Sequence, residues 1–331
     1  MIFPPWLEAD SARLAAMLER DQLPHALLIL GPFGVGRRLL AFRLAEMLLG
    51  GGIGIPDPAQ LDGGRVDDAW LQAHPDLRLL QPEEDKNKPG KFRKNITIEQ
   101  VRALIEFLSM TSHQGGAKAV IIAPAQAMNR HTANCLLKTL EEPAAGNYLI
   151  LVAESVSGLP ATIVSRCHRV RVPQPDPQVA VDWLSAMDPM VDWSGALKLS
   201  AGAPLAALEW QRSDFPQIAA KLERDISALR QRTETPAMVA KRWVKYDPEP
   251  CLRWLFNRLG AEIRSQAGYE VPDSIKKPDI HRLQKSGETL NIEPSFAVLR
   301  QIGELRRAQG AGLNMELHLT DVLTLWYGAG Q

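Results

Sequence analysis

The stretch ALLILGPFGVGRRLLAFRLAEMLLG, residues 26–50, decides the fold of the first half of the chain. Residues 26–30 are all apolar, as in a strand buried on both faces, and residues 39–50 repeat apolar side chains at helical spacing before a terminal glycine. Between them, GPFGVGRR (31–38) has the glycine spacing of a phosphate-binding loop, G-x-x-x-x-G-K-[ST]. A strand, a glycine loop and a helix in this order predict an α/β domain with a degenerate nucleotide site.

The loop keeps the backbone part of a phosphate cradle and lacks its side chains. Gly31 and Gly36 stand at the two glycine positions of the motif, and Gly34 stands at a variable position between them. Arg37 replaces the lysine, and Arg38 replaces the hydroxyl that binds magnesium. A guanidinium supplies positive charge, yet it is larger and planar and does not reproduce a lysine point charge in a tight loop. An arginine cannot ligate a cation. The alternative interpretation is a plain turn between a strand and a helix.

The positions that would carry the acidic residues of an ATPase are apolar as well. The predicted strand at 119–123 ends in Ala123 and Pro124, where a motor ATPase needs carboxylates for magnesium and water. The next predicted strand, at 148–153, ends in Ala153, where such enzymes offer a polar side chain to the γ-phosphate. Together these losses predict that the chain does not hydrolyse nucleotide.

The remaining pattern predicts a parallel sheet followed by helices. Strands are predicted at 26–30, 77–80, 119–123 and 148–153, with helices at 98–110 and 129–142. The proline cluster VPQPDP (172–177) ends the strand signals, since each proline removes a ladder donor. The chain beyond it reads as a short helical unit, about 177–210, and a longer helical domain from about 213 to the end.

Composition and charge limit the classes of function. The chain has 331 residues, 45% hydrophobic and 23% charged, which is typical of a globular protein of two or three domains. Lys plus Arg and Asp plus Glu are both 38, so no global positive field favours binding of nucleic acid by this chain alone. The basic run KNKPGKFRK (86–94) favours a solvated loop. No signal peptide or membrane-spanning run is evident, which predicts a cytoplasmic protein.

The cysteines and histidines predict no metal site. Cys135, Cys167 and Cys251 are far apart and odd in number, which suits a reducing compartment better than a disulfide framework. The seven histidines form no pair with metal-ligand spacing beyond chance. The glycine- and proline-rich segment 50–64 is predicted to be an irregular surface excursion.

Residues 129–167 closely resemble the clamp-loader branch of the AAA+ ATPases. The resemblance depends on LLKTLEEP (136–143) and SRC (165–167), in this order after a glycine loop, and extends to LSAGAPLAAL (199–208) and the closing LNMELHLTDVLTLW (313–326). It implies three parts: an AAA+ RecA-like parallel sheet domain over 1–173, a small helical lid over 174–212, and an all-α collar domain over 213–331.

The resemblance also implies a function and partners. It is to the stator of the bacterial loader, a subunit of the DNA polymerase III holoenzyme that has no enzymatic activity of its own. Its implied partners are the gamma/tau and delta subunits in a ring of five and, through the complex, the sliding clamp and primer–template DNA. Leu205 stands where an ATP-binding member has an arginine. Family members commonly hold zinc on four cysteines after the helix that follows the glycine loop, but residues 50–64 contain no Cys or His, so we expect no zinc.

The resemblance assigns Arg166, between Ser165 and Cys167, as an arginine finger that reaches the γ-phosphate of a neighbouring subunit. Arginine suits this role because it is always charged and forks onto phosphate oxygens; the alternative is a surface ion-pair partner. Cys167 is expected to be a buried packing residue and not a nucleophile. Glu141 and Glu142 are expected to end a helix and to meet the adjacent subunit.

Two other functions remain open at this point. An ATP-hydrolysing motor subunit of the same loader would require the lysine, the hydroxyl and the carboxylates that are missing here. A small-molecule P-loop kinase would leave the helical C-terminal region and the SRC motif without a purpose. An ATPase assay on the isolated chain separates the stator from both.

Overall fold

The fold is described from a computed structural model. It describes residues 3–51, 53–54, 56, 66, 74–85, 92–113, 116–266, 293–308 and 314–329. Most of the predicted excursion at 50–64 and residues 86–91 of the basic run lie outside the described residues. The chain forms two compact units, one with bounds Met1–Val191 and Ala203–Glu209, the other with bounds Asp192–Gly202 and Trp210–Gln331.

A parallel sheet forms the centre of the first unit. Its strands are β1 (Ala26–Leu30), β2 (Leu77–Leu80), β3 (Lys118–Ile122), β4 (Asn147–Ala153) and β5 (His168–Arg171). Their spatial order is β2-β3-β4-β1-β5, and every neighbouring pair is parallel. All residues of β1 and β3 are buried, as expected for strands with both faces covered. The predicted α/β parallel sheet is therefore confirmed.

The helices of the described residues surround the sheet in the first unit and make up the second. In chain order they are α1 (Glu8–Glu19), α2 (Arg37–Leu48), α3 (Ile98–Ser109), α4 (Arg130–Cys135), α5 (Leu137–Glu141), α6 (Ala161–Val164), α7 (Pro177–Met187), α8 (Trp193–Leu199), α9 (Pro204–Gln211), α10 (Phe215–Arg230), α11 (Pro236–Trp243), α12 (Pro248–Gln266), α13 (Glu293–Ala308) and α14 (Met315–Ala329). Short 3₁₀ helices cover Pro5–Leu7, Ala125–Ala127 and Val156–Gly158.

The four predicted strands are present, each within one residue of its predicted bounds. The strand β5 was not predicted, because only Val170 of its four residues is buried and the charged side chains around it carry no apolar run. The predicted helix at 129–142 is two helices. Leu136 separates them, since its N–H donates to Ala133 O, three residues back, in a tighter turn than an α-helix makes.

Caps in the sequence fix where two of these helices begin. Thr97 and Gln100 form a reciprocal capping box at the start of α3, with each side chain bonded to the other residue's backbone N–H. Asn129 caps α4 by accepting a 2.8 Å hydrogen bond from the N–H of Thr132. The latter cap fixes the start of the segment that ends at Glu141.

The second unit has a helical core of its own. Leu222, Leu255, Ile302 and Val322 are among the buried members, and they come from α10, α12, α13 and α14. Trp254 is buried and packs edge-on against Trp243, as expected for a core residue. This is the helical architecture predicted for the C-terminal region; the division into sheet, lid and collar domains stays a prediction.

Candidate functional site

The glycine loop lies at the carboxyl edge of the sheet, where ligands bind in open α/β folds. It joins Leu30, the last residue of β1, to Arg37, the first of α2. Gly34 and Gly36 have φ values of 76° and 97°, a left-handed backbone that favours glycine. The register sets Leu30 level with Ala153, the last residue of β4. The predicted order of strand, glycine loop and helix is therefore present.

The start of α9 packs against the loop. The N–H of Leu205 donates a 2.9 Å hydrogen bond to the carbonyl oxygen of Gly34. A methyl group at Gly34 would lie 2.7 Å from the Cβ of Ala206 and 2.9 Å from the Cβ of Ala203. Leu205 and Ala206 are each only 1% exposed. The loop therefore packs against apolar residues at this point.

Residues of the N-terminal segment also contact the loop. The indole N–H of Trp6 donates a 2.8 Å hydrogen bond to the carbonyl oxygen of Val35. A methyl group at Gly36 would lie 2.8 Å from the Cδ1 of Leu7 and 3.5 Å from that of Leu205. Val35 and Leu7 are fully buried. Two loop carbonyls are thus held by protein donors, and the surrounding side chains are apolar.

The charged side chains in the first turn of α2 are both positive. Arg37 and Arg38 are the first two residues of α2, and no acidic residue lies in its first turn. Arg37 is 5% exposed. The N-terminus of a helix carries a partial positive charge, so the two guanidinium groups add to the field of the helix and do not offset it. Neither side chain offers an oxygen ligand for magnesium.

The neighbouring strand ends lack acidic side chains at the predicted positions. Ala123 follows β3, is fully buried and donates its N–H to Leu80 O at 3.0 Å. Pro124 follows it, and β4 ends at the buried Ala153. A methyl group and a pyrrolidine ring cannot hold a cation or polarise water.

Arg166 lies at the other edge of the sheet from the glycine loop. It follows α6 and precedes β5, whose first residue, His168, is level with Leu27 near the start of β1. The glycine loop begins where β1 ends. Because the strands are parallel, β1 separates the two edges by about 13 Å at 3.3 Å per residue step. Arg166 therefore lies near the opposite end of β1 from the chain's own loop.

The Arg166 guanidinium pairs with the Glu141 carboxylate. Its Nε donates to Glu141 Oε1 at 2.8 Å, and Nη2 donates to the same oxygen. Its Nη1 donates to the carbonyl oxygen of Thr162 at 2.9 Å. The Arg166 side chain is 34% exposed and that of Glu141 is 49% exposed. The ion pair that the sequence offered as an alternative is thus present in the isolated chain.

The residues beside Arg166 have structural environments. Ser165 Oγ donates to Thr162 O at 3.2 Å. Cys167 is 8% exposed, and burial raises the pKa of its thiol to about 11. The prediction that Cys167 is a buried packing residue is confirmed by its place in the hydrophobic core. A thiol with that pKa is also a poor nucleophile near neutral pH. The prediction that a helix ends at Glu141 and Glu142 is also confirmed.

The Glu141–Arg166 pair was missed by sequence reasoning. The two residues are 25 positions apart, in LLKTLEEP and in SRC, and each motif was recognised separately. Residue spacing does not indicate that the end of α5 contacts the turn before β5. The opposite charges of Glu141 and Arg166 were the one available signal.

No metal-binding group and no membrane span are found among the described residues. Within those ranges no three His, Cys, Asp or Glu side chains are close enough to hold a metal ion. In the same part of the chain no helix combines the length and the apolar character needed to cross a bilayer.

Comparison with known proteins places the chain in a family. Residues 7–176 match the family model described as DNA polymerase III, delta subunit. The chain is 33% identical to DNA polymerase III subunit delta' of Pseudomonas aeruginosa, over 97% of this chain and 96% of the relative. It is 30% identical to the same subunit of Escherichia coli, over 96% and 93%. The chain belongs to the DNA polymerase III subunit delta' family.

Proposed function

We propose that this chain is the non-hydrolysing stator of a DNA polymerase III clamp loader, which helps place the sliding clamp on primed DNA. The observation that carries the proposal is the 33% identity, over 97% of the chain, to a protein named DNA polymerase III subunit delta'. The clamp-loader motifs LLKTLEEP and SRC support the same role. The partners are the gamma/tau and delta subunits in a ring of five, and the protein acts in the cytoplasm.

The chain does not hydrolyse ATP by itself. Phosphoryl transfer depends on a positioned metal ion and on positive charge placed at the phosphates. Arg38, Ala123 and Pro124 cannot supply the metal ligands, and Leu205 and Ala206 pack against the glycines of the loop. Restoring one side chain would leave the other defects in place. Nucleotide binding is weak or absent, and no zinc is bound.

Arg166 acts on the ATP of a neighbouring subunit. Two features support this role: the SRC motif that contains Arg166, and its place at the edge of the sheet opposite the glycine loop. When water attacks the γ-phosphorus and the bond to the β-phosphate breaks, negative charge is spread over the transferring group. A guanidinium that meets those oxygens lowers the barrier and is not consumed.

Reconstitution tests the proposal. The purified chain is mixed with the cognate gamma/tau and delta subunits, and the assembly is weighed by native mass spectrometry. We expect a five-membered complex that contains this chain, and clamp loading on primed circular DNA that requires it. A chain that stays monomeric in this mixture, or a loader that works at the same rate without it, would refute the proposed function.

A further inference from the structure

We propose that Glu141 is a positioning residue for Arg166: it holds the guanidinium in the orientation in which it meets the neighbouring subunit's phosphate. The inference rests on the proposed role of Arg166 and adds a second residue to it. The starting observation is that one carboxylate oxygen, Glu141 Oε1, accepts hydrogen bonds from both Nε and Nη2.

Two anchors fix the plane of the guanidinium. Glu141 holds the edge formed by Nε and Nη2, while the carbonyl oxygen of Thr162 accepts from Nη1 at 2.9 Å. Each of the three nitrogens therefore has an acceptor. A planar group held at two edges cannot rotate about its axis without breaking a bond. Nη1 also donates to Ser165 Oγ at 3.4 Å. The second hydrogen of Nη2 is then the donor that we expect to meet a phosphate.

Glu141 and Arg166 are both flanked by residues that are buried in the hydrophobic core. Leu140, directly before Glu141, is 2% exposed. Ile163, three residues before Arg166, is fully buried, and Cys167, directly after it, is 8% exposed. All three belong to one hydrophobic cluster that includes buried residues of the sheet. The pair is thus set by packed residues, as a positioned functional group requires.

The pair contributes little to the stability of the fold. Ion pairs between exposed side chains are screened by water and offset by the entropy of ordering two long side chains. Glu141 and Arg166 are 49% and 34% exposed, so this reasoning applies to them. The pair orders the Arg166 side chain before the subunits meet. The conformational entropy of that side chain is therefore not lost when it binds the phosphate.

A variant series in the reconstituted loader tests the inference. Rapid-quench, single-turnover ATP hydrolysis is measured with primed DNA and clamp, and the phase that Arg166→Ala slows is identified. Glu141→Ala is expected to slow the same phase by roughly two- to ten-fold, since misplacing a reacting group reduces its contribution. Glu141→Gln, which keeps a neutral acceptor, should slow it less. The KM for ATP should change by less than about two-fold, because the neighbour binds the nucleotide.

Glu106→Ala is the matched control. Glu106 is an exposed glutamate on α3, and its replacement removes the same charge. It should leave the phase unchanged. The double variant Glu141→Ala/Arg166→Ala should be no slower than Arg166→Ala, because Glu141 acts through Arg166. All variants should assemble on gel filtration and unfold within about 2 °C of the parent.

The possible results are distinguishable. If Arg166→Ala slows a phase and Glu141→Ala does not, the inference about Glu141 is wrong and the role of Arg166 stands. A faster phase in Glu141→Ala would mean that Glu141 restrains Arg166, which also refutes positioning. Equal slowing in Glu141→Ala and Glu106→Ala would mean that the effect comes from net charge alone, which would overturn the inference. An unchanged rate in Arg166→Ala would refute the finger and the inference together.

Discussion

The N–H of Leu205 donates a hydrogen bond of 2.9 Å to the carbonyl oxygen of Gly34, and this contact joins helix α9 to the glycine loop. In a working phosphate loop the backbone faces a nucleotide. Here Leu205 donates to a carbonyl oxygen of the loop, and Ala206 and Ala203 lie against Gly34 within the fold. The loop glycines thus serve packing in this chain, which leads to a prediction about stability.

Gly34→Ala should destabilise the fold more than Gly50→Ala. The two glycines have φ values of 76° and 77°, so the backbone strain of an alanine is the same, but only at Gly34 would the methyl group meet other atoms, 2.8 Å from the backbone N of Ala206. We expect a loss of about 1 kcal/mol at Gly50 from strain alone and about 2–4 kcal/mol at Gly34 from strain plus overpacking. Thermal unfolding of both variants measures the difference. Equal losses would show that α9 does not close the loop.

The isolated chain should show no ATP turnover above background at saturating nucleotide, and Arg37→Lys should not restore it. The reason is that Arg38, Ala123 and Pro124 leave no ligand for magnesium in either protein. Phosphate release is measured across a size-exclusion peak. Turnover that follows the protein peak through two different columns would contradict the prediction.

Purified protein should contain far less than one zinc per chain. Residues 50–64 contain no Cys or His, and a closed zinc site needs about four nitrogen or sulfur ligands. Elemental analysis after dialysis against a chelator gives the ratio. Stoichiometric zinc that survives this treatment would mean that ligands converge from distant parts of the chain.

Only Cys135 should react with a thiol reagent in the native protein at pH 8. Burial raises the pKa of Cys167 to about 11 and that of Cys251 to about 12, so at pH 8 about 0.1% or less of each is thiolate. Cys135 is only partly buried. A disulfide reagent should titrate one thiol before denaturation and three after it. The variant Cys135→Ser should lose the fast reaction; if it does not, one of the buried assignments is wrong.

The same two thiols should weaken the fold at high pH. Their unfolded pKa is about 9, so between pH 9 and about 11 the folded state retains protons that the unfolded state has lost. Stability from these groups is complete below pH 9 and is lost as the pH rises through the folded values. Denaturant midpoints measured from pH 7 to 10.5 should fall above pH 9. In the double variant Cys167→Ala/Cys251→Ala, that part of the fall should disappear.

Patterns within one segment were predictable from the sequence. The strand, glycine loop and helix at 26–50 were recognisable because buried strands are apolar throughout and helices repeat every 3.6 residues. The missing hydroxyl at Arg38 and the missing carboxylate at Ala123 were also predictable from the sequence. In each case the residue lacks a chemical group that the motif requires at that position.

Relations between distant segments were not predictable. Glu141 and Arg166 meet because α5 and α6 end at the same edge of the sheet, which follows from strand order and not from spacing. The strand β5 was not predicted because it lies at the edge of the sheet and three of its four residues are polar, and an edge strand needs no apolar run. The contact from Leu205 to Gly34 spans 171 positions, and only the unusual leucine at 205 hinted at it.

The ATPase rate of a reconstituted loader that carries Arg166→Ala tests the central claim most directly. The account predicts that the variant assembles normally, as judged by gel filtration, yet hydrolyses ATP more slowly with primed DNA and clamp. A finger contributes about 10³–10⁵ in rate at one site in small GTPases, and the loss over the ring should be smaller because other ATP sites keep their own arginines. Arg166→Lys should rescue little, since an ammonium lacks the planar fork. An assembled variant that hydrolyses ATP and loads clamps at the parental rate would contradict the account.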